Sequence, residues 1–182
     1  MDDDYAARLG AKLAPEGMRE TLVRAGCFLS AYELIKIQVV DGVRDFFWDR
    51  SDYDRDVASC GKNRFRASVG WLVDNKALTT EQGAVLEDVY QHRQEVAHEL
   101  PKLLIDPDFE VNTRLLIDAA VCLRALGIFW GRISVDADPQ WDGQDVADDD
   151  IRSVPDLLMG SLIELAGLVS DDPAVPAAEH PR

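Results

Sequence analysis

Apolar residues recur along this chain at the three- and four-residue spacing of helices, and no alternating run is long enough to make a strand. From about Pro15 to Trp48, the residues Leu22, Cys27, Phe28, Ala31, Leu34, Ile35, Val39, Val43, Phe46 and Phe47 draw a broad apolar stripe. Such a stripe marks a helix at the centre of a bundle. Gly26 or Gly42 is where this segment bends or breaks. A polar loop, Asp49 to Asn63, separates it from a short helix over about Phe65 to Lys76 with Val69, Leu72 and Val73 as its core face. Thr79 and Gln82 then stand at the spacing of a capping box, which satisfies the free amides of a helix start. The helix they open carries Val85, Leu86, Val89, Tyr90, Val96 and Ala97, and Pro101 bounds or kinks it. After the turn Asp106-Pro107-Asp108, a helix over about Val111 to Arg132 carries Leu115, Leu116, Ala119, Leu123, Leu126 and Phe129. A last helix spans about Val154 to Val169, with Pro155 in its first turn.

The connections are mostly short, which favours antiparallel neighbours. The expected fold is therefore all-α: a four- to five-helix up-and-down bundle, a single domain over residues 1–182 with its core at about 15–170. Residues 134–153 read as an acidic loop or excursion. Residues 171–182, with Pro173, Pro176 and Pro181, read as a mobile tail.

Charge changes the picture of possible partners. The chain has 182 residues and a formal net charge of -15, which repels nucleic-acid phosphates. That charge is unevenly spread. Between Cys60 and Ile133, nine lysines and arginines nearly balance ten aspartates and glutamates. The excess lies in the flanks, at Asp2 to Asp4, Asp49 to Asp56 and Asp136 to Asp150. The start Met1-Asp2-Asp3-Asp4 is opposite in charge to a signal peptide, and no apolar run has membrane-spanning length. A cytoplasmic location without a membrane partner is expected.

No cofactor or metal is expected either. The three cysteines, Cys27, Cys60 and Cys122, are spaced unlike any zinc module, and Cys27 and Cys122 fall in apolar runs that suit buried thiols. The run Asp145 to Asp150 lacks the alternating ligands and glycine of a calcium loop, so it reads as a solvated face or a partner contact. Trp48, Trp71, Trp130 and Trp141 suit core and interface packing.

The chemistry concentrates in Gln91-His92-Arg93-Gln94-Glu95-Val96-Ala97-His98-Glu99-Leu100, at the end of a helix. Arg93 is permanently charged and shaped to hold a phosphate, while a histidine exchanges protons near neutral pH. His98 would stand in the last helical turn, where free carbonyls and the helix dipole favour a protonated ring, with Glu95 one turn back. Such a pair suffices for cleaving RNA, whose own 2'-hydroxyl is the nucleophile. Residues five apart on a straight helix point about 140° apart, so one chain does not aim both at one atom. A bend near Pro101, or the pairing of two chains, would bring them together. The structural alternative pairs Arg93 with Glu87 or Asp88 and leaves His98 as a helix cap. His92 is either a second site residue or an exposed ring, and His180 lies in the tail. Lys62-Asn63-Arg64-Phe65-Arg66 is a basic cluster with an aromatic interleaved. It reads either as an RNA contact through Lys62, Arg64 and Arg66 or as a solvated loop paired with Asp54 or Asp56.

Arg93 with polar Gln94 after it, small Ala97 and then His98, in a late helix of an all-helical chain, resembles the motif of the HEPN family, the higher eukaryotes and prokaryotes nucleotide-binding domains. Ala31-Tyr32-Glu33-Leu34-Ile35-Lys36 is similar to the early helix of such domains. The resemblance spans roughly Pro15 to Arg132. Gln94 departs from it, standing where asparagine or aspartate is more usual. It implies a bundle that dimerises around the motif, with Arg93 and His98 catalytic and Gln94 and Glu95 supporting them. It also implies a metal-independent endoribonuclease of a bacterial defence or toxin–antitoxin system. A second function class stays open: a noncatalytic antitoxin, immunity or adaptor module whose acidic surface binds a basic protein partner.

Overall fold

A computed structural model describes residues 3–168 of the chain. The expected tail over 171–182, with His180, lies outside the described residues. The described part is an all-α bundle without strands. It contains α1 (Asp3–Leu13), α2 (Pro15–Lys36), α3 (Gly42–Phe46), α4 (Arg50–Asp56) and α5 (Arg64–Asp74). These are followed by α6 (Thr80–His98), α7 (Leu100–Ile105), α8 (Thr113–Ala137) and α9 (Val154–Leu165). Among the described residues no helix is long and apolar enough to cross a membrane.

Four long helices, α2, α6, α8 and α9, form the bundle, each packed on the next in that cyclic order. Their directions follow from which residues meet. Phe28 meets His92 and Tyr32 meets Tyr90, so α2 and α6 run antiparallel. The amide of Asn112, the residue just before α8, reaches His92, and the Cys122 thiol lies against the carbonyl of Gln82, so α6 and α8 are antiparallel too. Ser153 sits at Gly127 and Asp156 at Arg124, which reverses the chain once more into α9. Phe28, Ile35, Leu72, Leu86, Leu103, Leu116, Leu123, Leu126 and Met159 fill the interior. At roughly 1.5–3 kcal/mol per buried side chain, this apolar burial supplies the main drive for assembly.

The capping box forms as the spacing predicts: Gln82 N–H donates to the Thr79 hydroxyl, and the Gln82 side chain accepts from Thr79 N–H. The helix stops at Glu99 (φ -106°, ψ 22°), and Pro101 then sits in the first turn of α7. Proline tolerates that position because no intrahelical donor is needed there.

The long first segment is unbroken at Gly26. Its irregularity is one wide turn, Ile37–Asp41, where Gly42 N–H reaches back to the carbonyl of Ile37. Trp130 packs against it: the indole N–H donates to the carbonyl of Gln38 at 3.1 Å, and a Cβ at Gly42 would stand 3.0 Å from the ring. Beyond it, Phe46, expected in the core, is half-exposed, and Trp48 is fully exposed rather than packed.

Other boundaries differ from the sequence reading. The chain is helical from Asp3, and α1 packs on α2 and α7. The expected loop 49–63 contains α4, capped by the Asp49 carboxylate and anchored by buried Tyr53, with buried Val57 just beyond it. The last helix ends at Leu165 rather than Val169, because Gly167 takes the left-handed conformation (φ 74°) that closes a helix end. Helix α8 runs to Ala137, so the acidic loop begins at Asp138.

That loop is folded back onto α8. Arg132 donates to the Asp148 carboxylate at 2.5 and 2.8 Å and to the carbonyl of Val146. Arg124 donates to the carbonyls of Ile151 and Asp148. Between the two arginines, Gly127 and Gly131 leave room for Ser153 and Ile151, whose side chains a Cβ would strike. Asp148, Asp149 and Asp150 are all exposed, and Asp148 differs from the other two in being bonded to Arg132.

Candidate functional site

The second half of α6 presents its chemistry on three different sides. Leu86, Val89, His92 and Val96 recur at helical spacing and face the core. His92 is 8% exposed, with its ring edge-on to Phe28 at 4.9 Å between centroids. Its Nε2 accepts the backbone N–H of Asn112 at 2.8 Å. That bond fixes the proton on Nδ1, which donates to the Glu95 carboxylate at 3.0 Å. His92 therefore joins the start of α8 to α6, and both ring nitrogens are occupied. It is neither exposed nor free for chemistry.

His98 is the opposite case. It is the last residue of α6, exposed, and its ring has no hydrogen-bond partner among the described residues. Glu95, expected to support it, is committed to His92 instead. Ala97, expected in the core, is exposed beside it.

Arg93 lies on the flank that faces α2. Its guanidinium rests 5.2 Å from the centre of the Tyr32 ring, donates to the Gln94 side chain at 3.2 Å, and stands 3.7 Å from the Glu33 carboxylate. Neither Glu87 nor Asp88 is its partner. The side chain is 31% exposed, so the tyrosine face and Gln94 orient the group while leaving one edge to solvent. Burial pushes the Tyr32 phenol above its ordinary pKa, with Arg93 partly opposing. Tyr32 therefore stays a neutral platform beneath the cation.

Helix α6 is continuous through Arg93 and His98, and the bend comes only at Glu99, after both. The chain's own bend therefore does not turn the two side chains toward each other. They remain about 140° apart around one axis.

The basic cluster divides. Asn63 caps α5, accepting from the amides of Phe65 and Arg66. Phe65 is buried, stacked on Tyr90 at 5.5 Å and 19°. Arg66 reaches across to α6, where it makes a two-pronged bond to Glu87 and lies 5.3 Å over the Tyr90 ring. This bond holds the Glu87 carboxyl below its usual range. Asp54 and Asp56 are not its partners. Lys62 and Arg64 are exposed and make no ion pair among the described residues. Lys62 and Arg66, with Asn63, Trp71, Asp56 and Asp74, wall a groove of about 470 Å³. Arg93 and His98 are not in its walls.

The structure thus brings Arg66 to the flank of α6 that carries Arg93, through Tyr90 and Tyr32, whose centroids are 6.2 Å apart. Tyr32 and Tyr90 were missed as site residues in sequence. Tyr90 stands one turn before Arg93, a spacing that could have been read, whereas Tyr32 reaches the site only through packing of α2. No protein-family model, curated protein or solved structure matches this chain.

Proposed function

We propose that the protein is a HEPN-like, metal-independent endoribonuclease of a bacterial defence or toxin–antitoxin system, acting as a homodimer around α6. The observation that carries this reading is the division of labour between the two histidines of α6. His92 is consumed by structure, while His98 stands exposed at the helix end with no bond among the described residues, on the same helix as an arginine oriented by a tyrosine face. Because the two side chains diverge within one chain, a working site combines Arg93 of one chain with His98 of another.

In the reaction, the 2'-hydroxyl oxygen attacks the neighbouring phosphorus and the bond from phosphorus to the 5' oxygen breaks. The proton leaving the 2'-hydroxyl is matched by one delivered to the 5' oxygen. His98 moves these protons, and Arg93 offsets the charge that builds on the phosphoryl oxygens. The products are a 2',3'-cyclic phosphate and a 5'-hydroxyl.

The test is cleavage of mixed RNA by purified protein in EDTA. Wild type is expected to cleave RNA and to leave DNA, which lacks the internal nucleophile, intact. His98→Ala should lose roughly a hundredfold to ten-thousandfold of the rate. Arg93→Ala should lose a comparable amount. Wild-type protein inert toward diverse RNAs, or equal activity in all three proteins, removes catalysis and leaves the noncatalytic binding module as the reading.

A further inference from the structure

Arg66 and Arg93 come from different helices, yet their guanidinium groups lie over two tyrosines that touch each other. Tyr90 and Arg93 are one turn apart on α6, and Arg66 sits beside Tyr90 and Glu87, a further turn back. The two cations are therefore separated along α6 by about one to two turns of 5.4 Å. Each strand of a stacked duplex rises about 3.4 Å per nucleotide, and by that measure the interval covers about two or three nucleotides.

Both cations keep donors for a ligand. The pair with Glu87 uses Nε and Nη2 of Arg66, leaving the two protons of Nη1 free, and the side chain is 49% exposed. Glu33, the carboxylate near Arg93, is shared with Lys36, which holds it at 2.9 Å. On this flank Lys36, Lys62, Arg66 and Arg93 stand with Glu33, Asp56, Asp74 and Glu87. In a chain of net charge -15, this is a stretch where the charges balance.

We infer that the α5–α6 flank is a track for the backbone of single-stranded RNA. It enters at the groove beside Lys62, passes Arg66 and ends at Arg93, where the His98 of a second chain completes the site. The inference rests on the ribonuclease reading and adds to it a positioning residue, Arg66, outside the Arg93–His98 motif. Tyr90 and Tyr32 serve as the platforms that fix the two guanidinium groups; the bases do not stack on them, because Tyr32 is 5% exposed and Phe65 covers Tyr90. Glu87 orients Arg66 and at the same time weakens its pull on a phosphate.

The test is binding of a 2'-O-methylated single-stranded oligoribonucleotide, whose blocked nucleophile prevents cleavage, over a series of salt concentrations. Removing one cation that neutralises a phosphate should reduce the slope of log affinity against log salt by about 0.7. Arg66→Ala and Arg93→Ala should each show that reduction with several-fold weaker binding, while Arg114→Ala, on α8, should match wild type. Glu87→Gln separates a track from a mere brace. A track predicts tighter binding once the carboxylate charge is gone; a structural brace predicts the same weakening as Arg66→Ala. An unchanged slope in Arg66→Ala, weakening in Glu87→Gln, or no binding by wild type at low salt overturns the track. If the track falls while His98-dependent cleavage persists, the ribonuclease reading stands alone. If binding depends on Arg66 but nothing is cleaved, the track stands and the enzyme does not.

Discussion

His92 and His98 share a helix and a residue type, and they differ in almost every physical respect. Replacing His92 removes a bridge between two helices and leaves the Asn112 amide without its acceptor. His92→Ala is expected to cost roughly 1–3 kcal/mol in urea unfolding. His98→Ala should stay within about 0.5 kcal/mol of wild type, because its ring touches no described partner. Equal effects would mean that the two rings are not divided as described. The burial of His92 was in fact legible in sequence, since positions 86, 89, 92 and 96 share one helical face. The partners of Arg93 were not, because Tyr32 and Glu33 are some sixty residues away in the chain and only packing selects them.

The thiols add a pH test. Cys60 is exposed, whereas Cys27 and Cys122 are buried. A water-soluble thiol reagent should label one cysteine quickly and the other two only on unfolding. Burial, with Asp118 adding to it, pushes the Cys122 thiol up to about 11, while an unfolded cysteine ionises near about 8.5. The native state therefore holds this proton more tightly. The stability it contributes is full below the unfolded value and is lost as pH rises toward 11. Comparing unfolding midpoints at neutral and alkaline pH, Cys122→Ala should lose less on alkalinisation than wild type; an equal loss would assign the effect to other groups.

Among the elements, those with strong periodicity were readable and those made by long-range packing were not. The four bundle helices and the capping box follow from local pattern alone. The wide turn before Gly42 is bonded to Trp130, and the acidic loop to Arg124 and Arg132 of the preceding helix, contacts that local pattern does not reveal. Helix α1, with Tyr5, Leu9 and Leu13 at helical spacing, was readable too, whereas α4 was not, because Tyr53 is its only buried residue. The loop offers a direct check. Gly131→Ala would push a methyl group into Ile151 and should cost roughly 1–3 kcal/mol. Asp148→Asn should make residues 142–150 more sensitive to limited proteolysis, because it weakens the bond to Arg132. Asp149→Asn and Asp150→Asn should digest like wild type. Uniform behaviour of the three variants would show that Asp148 does not hold the loop.

Taken as one molecule, the protein sets a strongly acidic exterior around a flank where arginines are kept oriented by tyrosines. The all-helical architecture was legible from hydrophobic spacing and its antiparallel order from the short connections. The relation between the basic cluster and the Arg93–His98 motif was not, since it exists only once α5 packs against α6. The outward line of α6 through Asp88, Gln91, Glu95 and His98 is polar. Two copies meeting there would associate through polar groups, and salt should weaken their pairing. The apolar residues left exposed on α9, Val154, Leu157, Leu158 and Leu165, lie on the diagonally opposite helix.

A site shared between two chains makes a demand that a site within one chain does not. Arg93→Ala and His98→Ala, each inactive alone, should regain RNA cleavage when mixed and allowed to exchange subunits. Each mixed dimer then holds one intact site, and statistical exchange should restore about a quarter of wild-type activity. Restored cleavage in EDTA, with a 2',3'-cyclic phosphate product, is the expected result. A mixture no more active than its components, beside an active wild type, would contradict the shared site.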